Sequence, residues 1–85
     1  MAHDTIVIHE RITTNPNVMA GKPVVRGTRI PVERVLRHLE DNDRDDLFAA
    51  FPELTDEDVR ACLAFARDAI EREYRMSNGT PTAAQ

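Results

Sequence analysis

The sequence predicts a mainly α fold, in which an N-terminal β arm or hairpin precedes a three-helix core of the helix-turn-helix type. Three observations predict this fold: β-branched residues near the N-terminus, a following stretch that contains Gly and Pro, and three segments with the apolar spacing of helices. With 85 residues, the chain has room for one small domain. We expect this domain to span residues 1–75, with the β arm at about 5–30, the core at about 31–75 and a mobile tail at 76–85.

The β arm is predicted from two extended stretches. Residues 5–13 are rich in β-branched side chains, which favours a strand, and the Asn-Pro-Asn run at 15–17 supplies a turn. A second extended stretch covers 22–26 and is bounded by Gly21 and Gly27. Two strands alone are marginally stable in water. The arm therefore needs either a helical partner or a second copy of itself.

The first two helices are predicted from their boundaries. Pro31 suits the first position of a helix, where its missing N–H costs nothing, so helix one is expected to run from about Pro31 to about Glu40. Asp43 is expected to cap a second helix from Arg44 to Ala50.

The third helix is predicted to be the longest element. Thr55 and Asp58 have the spacing of a capping box at its start, and the helical pattern continues to about Tyr74. The apolar residues that we expect to form its buried stripe are Val59, Leu63, Ala66 and Ile70. The short middle helix and the tight connection that follows it fit a helix-turn-helix arrangement.

The charge of the chain is divided between its two halves. The net charge is −4, which argues against a domain that coats nucleic acid non-specifically. Residues 1–37 carry six basic and three acidic side chains, whereas residues 38–85 carry five basic and twelve acidic ones. Two explanations stay open for the basic cluster: contact with phosphates, or pairing, within one chain or between subunits, with the acids of the second half. The candidate DNA-binding residues are Lys22, Arg26, Arg29, Arg34 and Arg37.

Several classes of protein are disfavoured. The only cysteine, Cys62, is expected to be a buried thiol, and neither a signal peptide nor an apolar run of membrane-spanning length is present, which predicts a cytoplasmic protein with no membrane partner. The three histidines lack metal-ligand spacing, and no nucleophile has a distinctive local pattern. We therefore expect no metal, no cofactor and no enzymatic activity.

Two runs resemble a known family. Residues 17–32 read NVMAGKPVVRGTRIPV and residues 51–59 read FPELTDEDV. Both are similar to the signature segments of domain-of-unknown-function family 433, and the resemblance extends over roughly residues 10–72. It implies a winged-helix-like variant of the helix-turn-helix fold. It also implies an antitoxin of a type II toxin-antitoxin system that neutralises a PIN-like nuclease and binds operator DNA for autoregulation. A stand-alone helix-turn-helix transcriptional regulator is the alternative.

The sequence also predicts a homodimer. Gly and Pro residues fix the shape of the arm, and an arm that extends beyond a small core is suited to pairing with a second copy. We expect three apolar residues of the arm, Val24, Val25 and Ile30, to lie at a two-fold interface.

Overall fold

A three-stranded antiparallel sheet precedes three helices in the computed structural model, which describes residues 5–78. The strands, in the spatial order β1-β2-β3, are β1 (Ile6–His9), β2 (Ile12–Thr14) and β3 (Val24–Val25). The helices are α1 (Val32–Asp41), α2 (Arg44–Ala50) and α3 (Asp56–Asn78). The predicted order of a β region followed by three helices is confirmed.

The segment predicted as one strand at 5–13 is a hairpin instead. The chain turns at Glu10 and Arg11, and β1 then pairs with β2 in a register that places Val7 opposite Thr13. The single-strand prediction was wrong because this turn contains none of the Gly, Asn or Pro residues that usually mark a chain reversal.

A second chain reversal follows β3. Gly27 has φ +79°, a conformation that L side chains rarely adopt. After this turn the backbone N–H of Val25 donates to the carbonyl of Ile30 at 2.9 Å, and Val24 forms an isolated antiparallel bridge with Pro31. The returning chain therefore covers the outer edge of β3 and leads directly into α1.

The caps of α1 and α2 agree closely with the prediction. Pro31 is the N-cap of α1 and Val32 is its first residue, so the helix begins one position later than expected. α2 has the predicted bounds, and the Asp43 side chain accepts a hydrogen bond from the Asp46 N–H at 2.9 Å.

α3 begins with the predicted capping box and continues past its predicted end. The Thr55 hydroxyl accepts from the Asp58 N–H at 3.2 Å, and the Asp58 carboxylate accepts from the Thr55 N–H at 3.0 Å. Of the predicted mobile tail, residues 76–78 are helical, whereas residues 79–85 lie outside the described part of the chain. Although α3 has 23 residues, no helix within residues 5–78 is long and apolar enough to cross a membrane.

The core joins β2 and β3 to one side of the three helices. Its buried members are Ile12, Val25, Ile30, Val32, Val35, Leu47, Leu54, Val59, Ala61 and Cys62. The predicted stripe of α3 is only partly inside, because Leu63 is 43% exposed and Ile70 is 68% exposed. Apolar spacing alone placed both residues in the core, and that prediction was wrong for them.

Candidate functional site

A basic groove lies beside the N-terminal half of α1. It has a volume of about 370 Å³. The residues that line it are Met19, Lys22, Pro31, Glu33, Arg34, Arg37, His38 and Phe51. Three permanent cations face one carboxylate, so the groove carries a local excess of two positive charges when His38 is neutral. The structure thus brings together three of the five basic residues that the sequence singled out.

Glu33 is the internal counter-ion of this groove. Its carboxylate lies 3.4 Å from Lys22 Nζ and 2.8 Å from Arg37 Nη2. All three side chains are more than half exposed, so each pair contributes little stability and is easily exchanged for another anion. Arg34 has no ion-pair partner among residues 5–78. The groove can therefore accept phosphate oxygens with little loss of internal pairing.

One end of the groove is formed by two aromatic rings in contact. His38 and Phe51 meet edge to face, with ring centroids 5.8 Å apart. His38 Nδ1 is shielded from solvent and lacks a hydrogen-bond partner within the described residues. His38 lies four positions after Arg34 and one after Arg37, so helical periodicity was a signal that could have identified it.

A strained turn positions two of the lining residues. Met19, Ala20 and Gly21 all have positive φ, at 53°, 57° and 81°, and form a left-handed turn closed by a 3.1 Å bond from the Lys22 N–H to the Met19 carbonyl. Each non-glycine residue in this region costs about 1–2 kcal/mol. The Thr14 hydroxyl anchors the turn by donating to the Gly21 carbonyl. Strain of this kind is typical of functional sites, and nothing in the sequence indicated it at Met19 or Ala20.

A smaller apolar depression adjoins the groove. It has a volume of about 190 Å³ and shares Lys22, Pro31 and Glu33 with the groove. Its other lining residues are Pro23, Val32, Leu36, Phe65 and Ala66. The Lys22–Glu33 pair borders both depressions. The two together can hold an anionic group next to an apolar one.

Arg26 and Arg29 do not line the groove. They lie in the turn region that follows β3, where both side chains are exposed. Arg26 donates from its guanidinium to the Glu10 carbonyl at 3.4 Å, while Arg29 has no ion-pair partner within residues 5–78. None of the five predicted cations pairs with an acid of the second half in the described structure. Pairing with the acidic half of the same chain therefore does not explain why they are concentrated there.

The residues predicted for a dimer interface are already covered within one chain. Val24, Val25 and Ile30 are 5%, 0% and 7% exposed, and the latter two belong to the core described above. Within this chain they have almost no surface left to offer a second copy, and their contact with one stays a prediction. The arm packs on the helices of its own chain, so it does not need a second copy to be stable.

An acidic surface surrounds α2. Residues 40–58 contain nine acidic side chains and one basic residue, Arg44, which pairs with Asp56. The exposed acids without an ion-pair partner within residues 5–78 are Glu40, Asp41, Asp43, Asp45, Asp46, Glu53 and Glu57. Two of them, Glu53 just before α3 and Glu57 in its first turn, lie where a helix-turn-helix protein would present residues to DNA, and there they oppose phosphate binding.

Cys62 is a structural thiol. It is fully buried. Burial raises the pKa of the Cys62 thiol to about 11, and the nearby Asp58 carboxylate adds to the rise. Because the thiolate is the reactive form, this side chain is unreactive near neutral pH.

These features define a small, mainly helical domain whose described part carries a basic and an acidic surface. The chain belongs to the family described as Protein of unknown function (DUF433), whose sequence profile matches residues 12–66. The resemblance noted in the two signature runs is thereby confirmed.

Two curated relatives also match. The uncharacterized protein y4eO of Sinorhizobium fredii is 33% identical over 64 residues, which are 74% of this chain and 29% of that protein. An uncharacterized protein of Archaeoglobus fulgidus is 54% identical over 28 residues, which are 33% of this chain and 78% of that protein. The chain thus spans less than a third of the rhizobial relative. No solved structure was found to match.

Proposed function

We propose that this protein is a cytoplasmic antitoxin with a winged-helix-like fold, which binds a PIN-like nuclease through the acidic surface around α2. The observation that carries this proposal is the density of unpaired carboxylates in residues 40–58. A nuclease has to attract phosphates and therefore presents basic residues around its substrate cleft. Opposite potentials steer two such surfaces together and favour the matching partner.

Helix stability explains only part of the acidic surface. Asp43 caps α2, and Asp45 and Asp46 lie in its first turn, where carboxylates are favourable. Glu40 and Asp41 lie in the last turn of α1, next to the negative end of the helix dipole, where each costs a few tenths of a kcal/mol or more. A role in binding a basic partner accounts for charges that weaken the helix carrying them.

Co-expression with the open reading frame next to its gene, followed by co-purification and titration, tests this proposal. We expect Glu40→Lys with Asp41→Lys to weaken the complex by more than about tenfold, because several favourable charge pairs become repulsive. The matched control is Glu71→Lys with Glu73→Lys, which makes the same change in net charge on the exposed end of α3. Equal weakening by both variants, or no complex with the unaltered protein, would refute the proposal.

A role in operator binding is the second candidate function, favoured by the basic groove. Arg34 has no ion-pair partner in the described part of the chain, and Lys22 and Arg37 share one exposed counter-ion. In this role the groove contacts phosphates, either for autoregulation by the antitoxin or for repression by a stand-alone helix-turn-helix regulator.

Titration of upstream DNA at several salt concentrations tests the groove. Each phosphate contact that is lost should lower the salt slope by about one. We expect Arg34→Ala with Arg37→Ala to lower it by about two, whereas Arg72→Ala, an exposed control on α3, should leave it unchanged. An unchanged slope in the double variant would exclude the groove as the DNA contact.

A further inference from the structure

β1 is an open edge of the sheet. The strands of the sheet lie in the order β1-β2-β3. The β3 edge is covered by the returning chain, because the Val25 N–H donates to the Ile30 carbonyl and Val24 forms a bridge with Pro31. No strand within residues 5–78 covers β1 on its outer side. An uncovered edge presents a row of backbone donors and acceptors that can pair with another strand.

The residues of β1 are unusually apolar for an exposed edge. Ile6, Val7 and Ile8 are 56%, 59% and 40% exposed, and no Asp, Glu, Lys or Arg occurs between Thr5 and His9. Edge strands of monomeric proteins generally carry charges or Pro that prevent pairing. Among the described residues, the one protective feature of this edge is an irregular register between Val7 and His9. This edge is therefore suited to pairing with a further strand.

β1 is also held in place before any partner arrives. Its inner edge pairs with β2, and its end is fixed on α3, where His9 Nε2 lies 3.8 Å from the Asp68 carboxylate. The His9 ring meets Phe65 edge to face, with centroids 6.4 Å apart. A strand that is already ordered loses little conformational entropy on pairing, which favours association.

We infer that the outer edge of β1 pairs with β1 of a second copy of this chain. The segment Ile6-Val7-Ile8 reads the same in both directions. Antiparallel pairing about a two-fold axis at Val7 therefore places identical residue types opposite each other. Ile6 then lies opposite Ile8 of the second copy, and Val7 lies opposite Val7 of the second copy. These cross-strand pairs are favourable for β-branched side chains and bring no like charges together. The two sheets become one of six strands.

This interface is small. Three side chains and one short strand provide only part of the roughly 800 Å² per partner that stable interfaces bury. The dimer is therefore concentration-dependent, with monomers prevailing in dilute solution. It requires neither a toxin nor DNA, so it stands apart from the proposed function. It also places the contact at β1 instead of the arm residues Val24, Val25 and Ile30.

A charge-swap experiment at Val7 tests the inferred pairing. Sedimentation equilibrium of the full chain over a range of concentrations measures dimerisation, and circular dichroism confirms that each variant is folded. We expect Val7→Lys and Val7→Glu each to weaken self-association by more than about tenfold, since like charges then face each other across the axis. An equimolar mixture of the two variants should regain dimers, because Lys then faces Glu. The matched control is Ile70→Lys, another exposed apolar position far along α3.

The outcomes of this experiment distinguish pairing at β1 from self-association through another surface. Weakening by both Val7 variants, recovery in their mixture and an unaffected Ile70→Lys together support pairing about Val7. A protein that stays monomeric at all concentrations overturns the inference. So does a Val7→Lys protein that dimerises like the unaltered chain, or a mixture that does not recover. Loss of dimers in Ile70→Lys alone would assign the contact to α3.

Discussion

Asp58 joins the hairpin to the helices through polar contacts to both, so its removal should have a large effect on stability. The carboxylate is 11% exposed. One oxygen accepts the Thr55 N–H at 3.0 Å and the other accepts from Arg11 Nη1 at 3.2 Å. Asp58→Ala therefore breaks the capping box of α3 and releases the β1–β2 turn in the same step.

The expected loss of stability follows from these two contacts. A hydrogen bond to a charged acceptor contributes about 1.5–3 kcal/mol to the free energy of unfolding. The ion pair adds at most about 1 kcal/mol, because the Arg11 side chain is 42% exposed and solvent screens it. The sum is about 3 kcal/mol, which for a domain of this size lowers the melting temperature by about 12–24 °C.

Chemical and thermal unfolding of Asp58→Ala, Asp58→Asn and Arg11→Met measure these contributions separately. Asp58→Asn retains an acceptor for the Thr55 N–H and should lose only about 1 kcal/mol. Arg11→Met removes the ion pair alone, and the double variant gives the coupling energy between the two side chains. A free energy of unfolding for Asp58→Ala within about 0.5 kcal/mol of the unaltered protein would refute the reasoning.

Three further predictions concern the backbone, the core and the thiol. Ala20→Gly should raise the free energy of unfolding by roughly 0.5–1 kcal/mol in urea denaturation, because it relieves a positive φ. Gly27→Ala should lower it by about 1 kcal/mol because of its positive φ, although the added Cβ has no clash to make. Leu47→Ala should cost about 2–5 kcal/mol in the same assay, since Leu47 is fully buried. Between pH 9 and pH 11 the unfolded thiol of Cys62 ionises while the folded one stays protonated, so stability falls as pH rises, and Cys62→Ala should flatten that part of the pH profile.

The sequence predicted those parts of the fold that local chemistry decides. Asp43 at the start of α2 and the Thr55–Asp58 capping box are local hydrogen-bond patterns, and both occur as expected. The Glu10-Arg11 turn was missed because ordinary residues form it. Leu63 was misplaced because periodicity identifies an apolar face but does not show how far the neighbouring elements extend along it.

The candidate site was predicted in part for similar reasons. Lys22, Arg34 and Arg37 were identified by their charge and proximity in sequence, and they meet in one groove. Arg26 lies close in sequence but outside the lining, because the chain reverses after β3. Met19 could not be predicted, since its place in the groove depends on a left-handed turn that no residue type indicates.

The direction of α1 gives the molecule a permanent electric dipole. Arg34 and Arg37 lie toward its first turns and Glu40 and Asp41 at its end, so the side-chain charges point the same way as the helix macrodipole. A polyanion and a basic protein are therefore drawn to opposite ends of the same ten-residue helix. The proposed DNA contact and the proposed nuclease contact thus lie at opposite ends of one helix, so the charges that would attract one partner do not lie beside those that would attract the other.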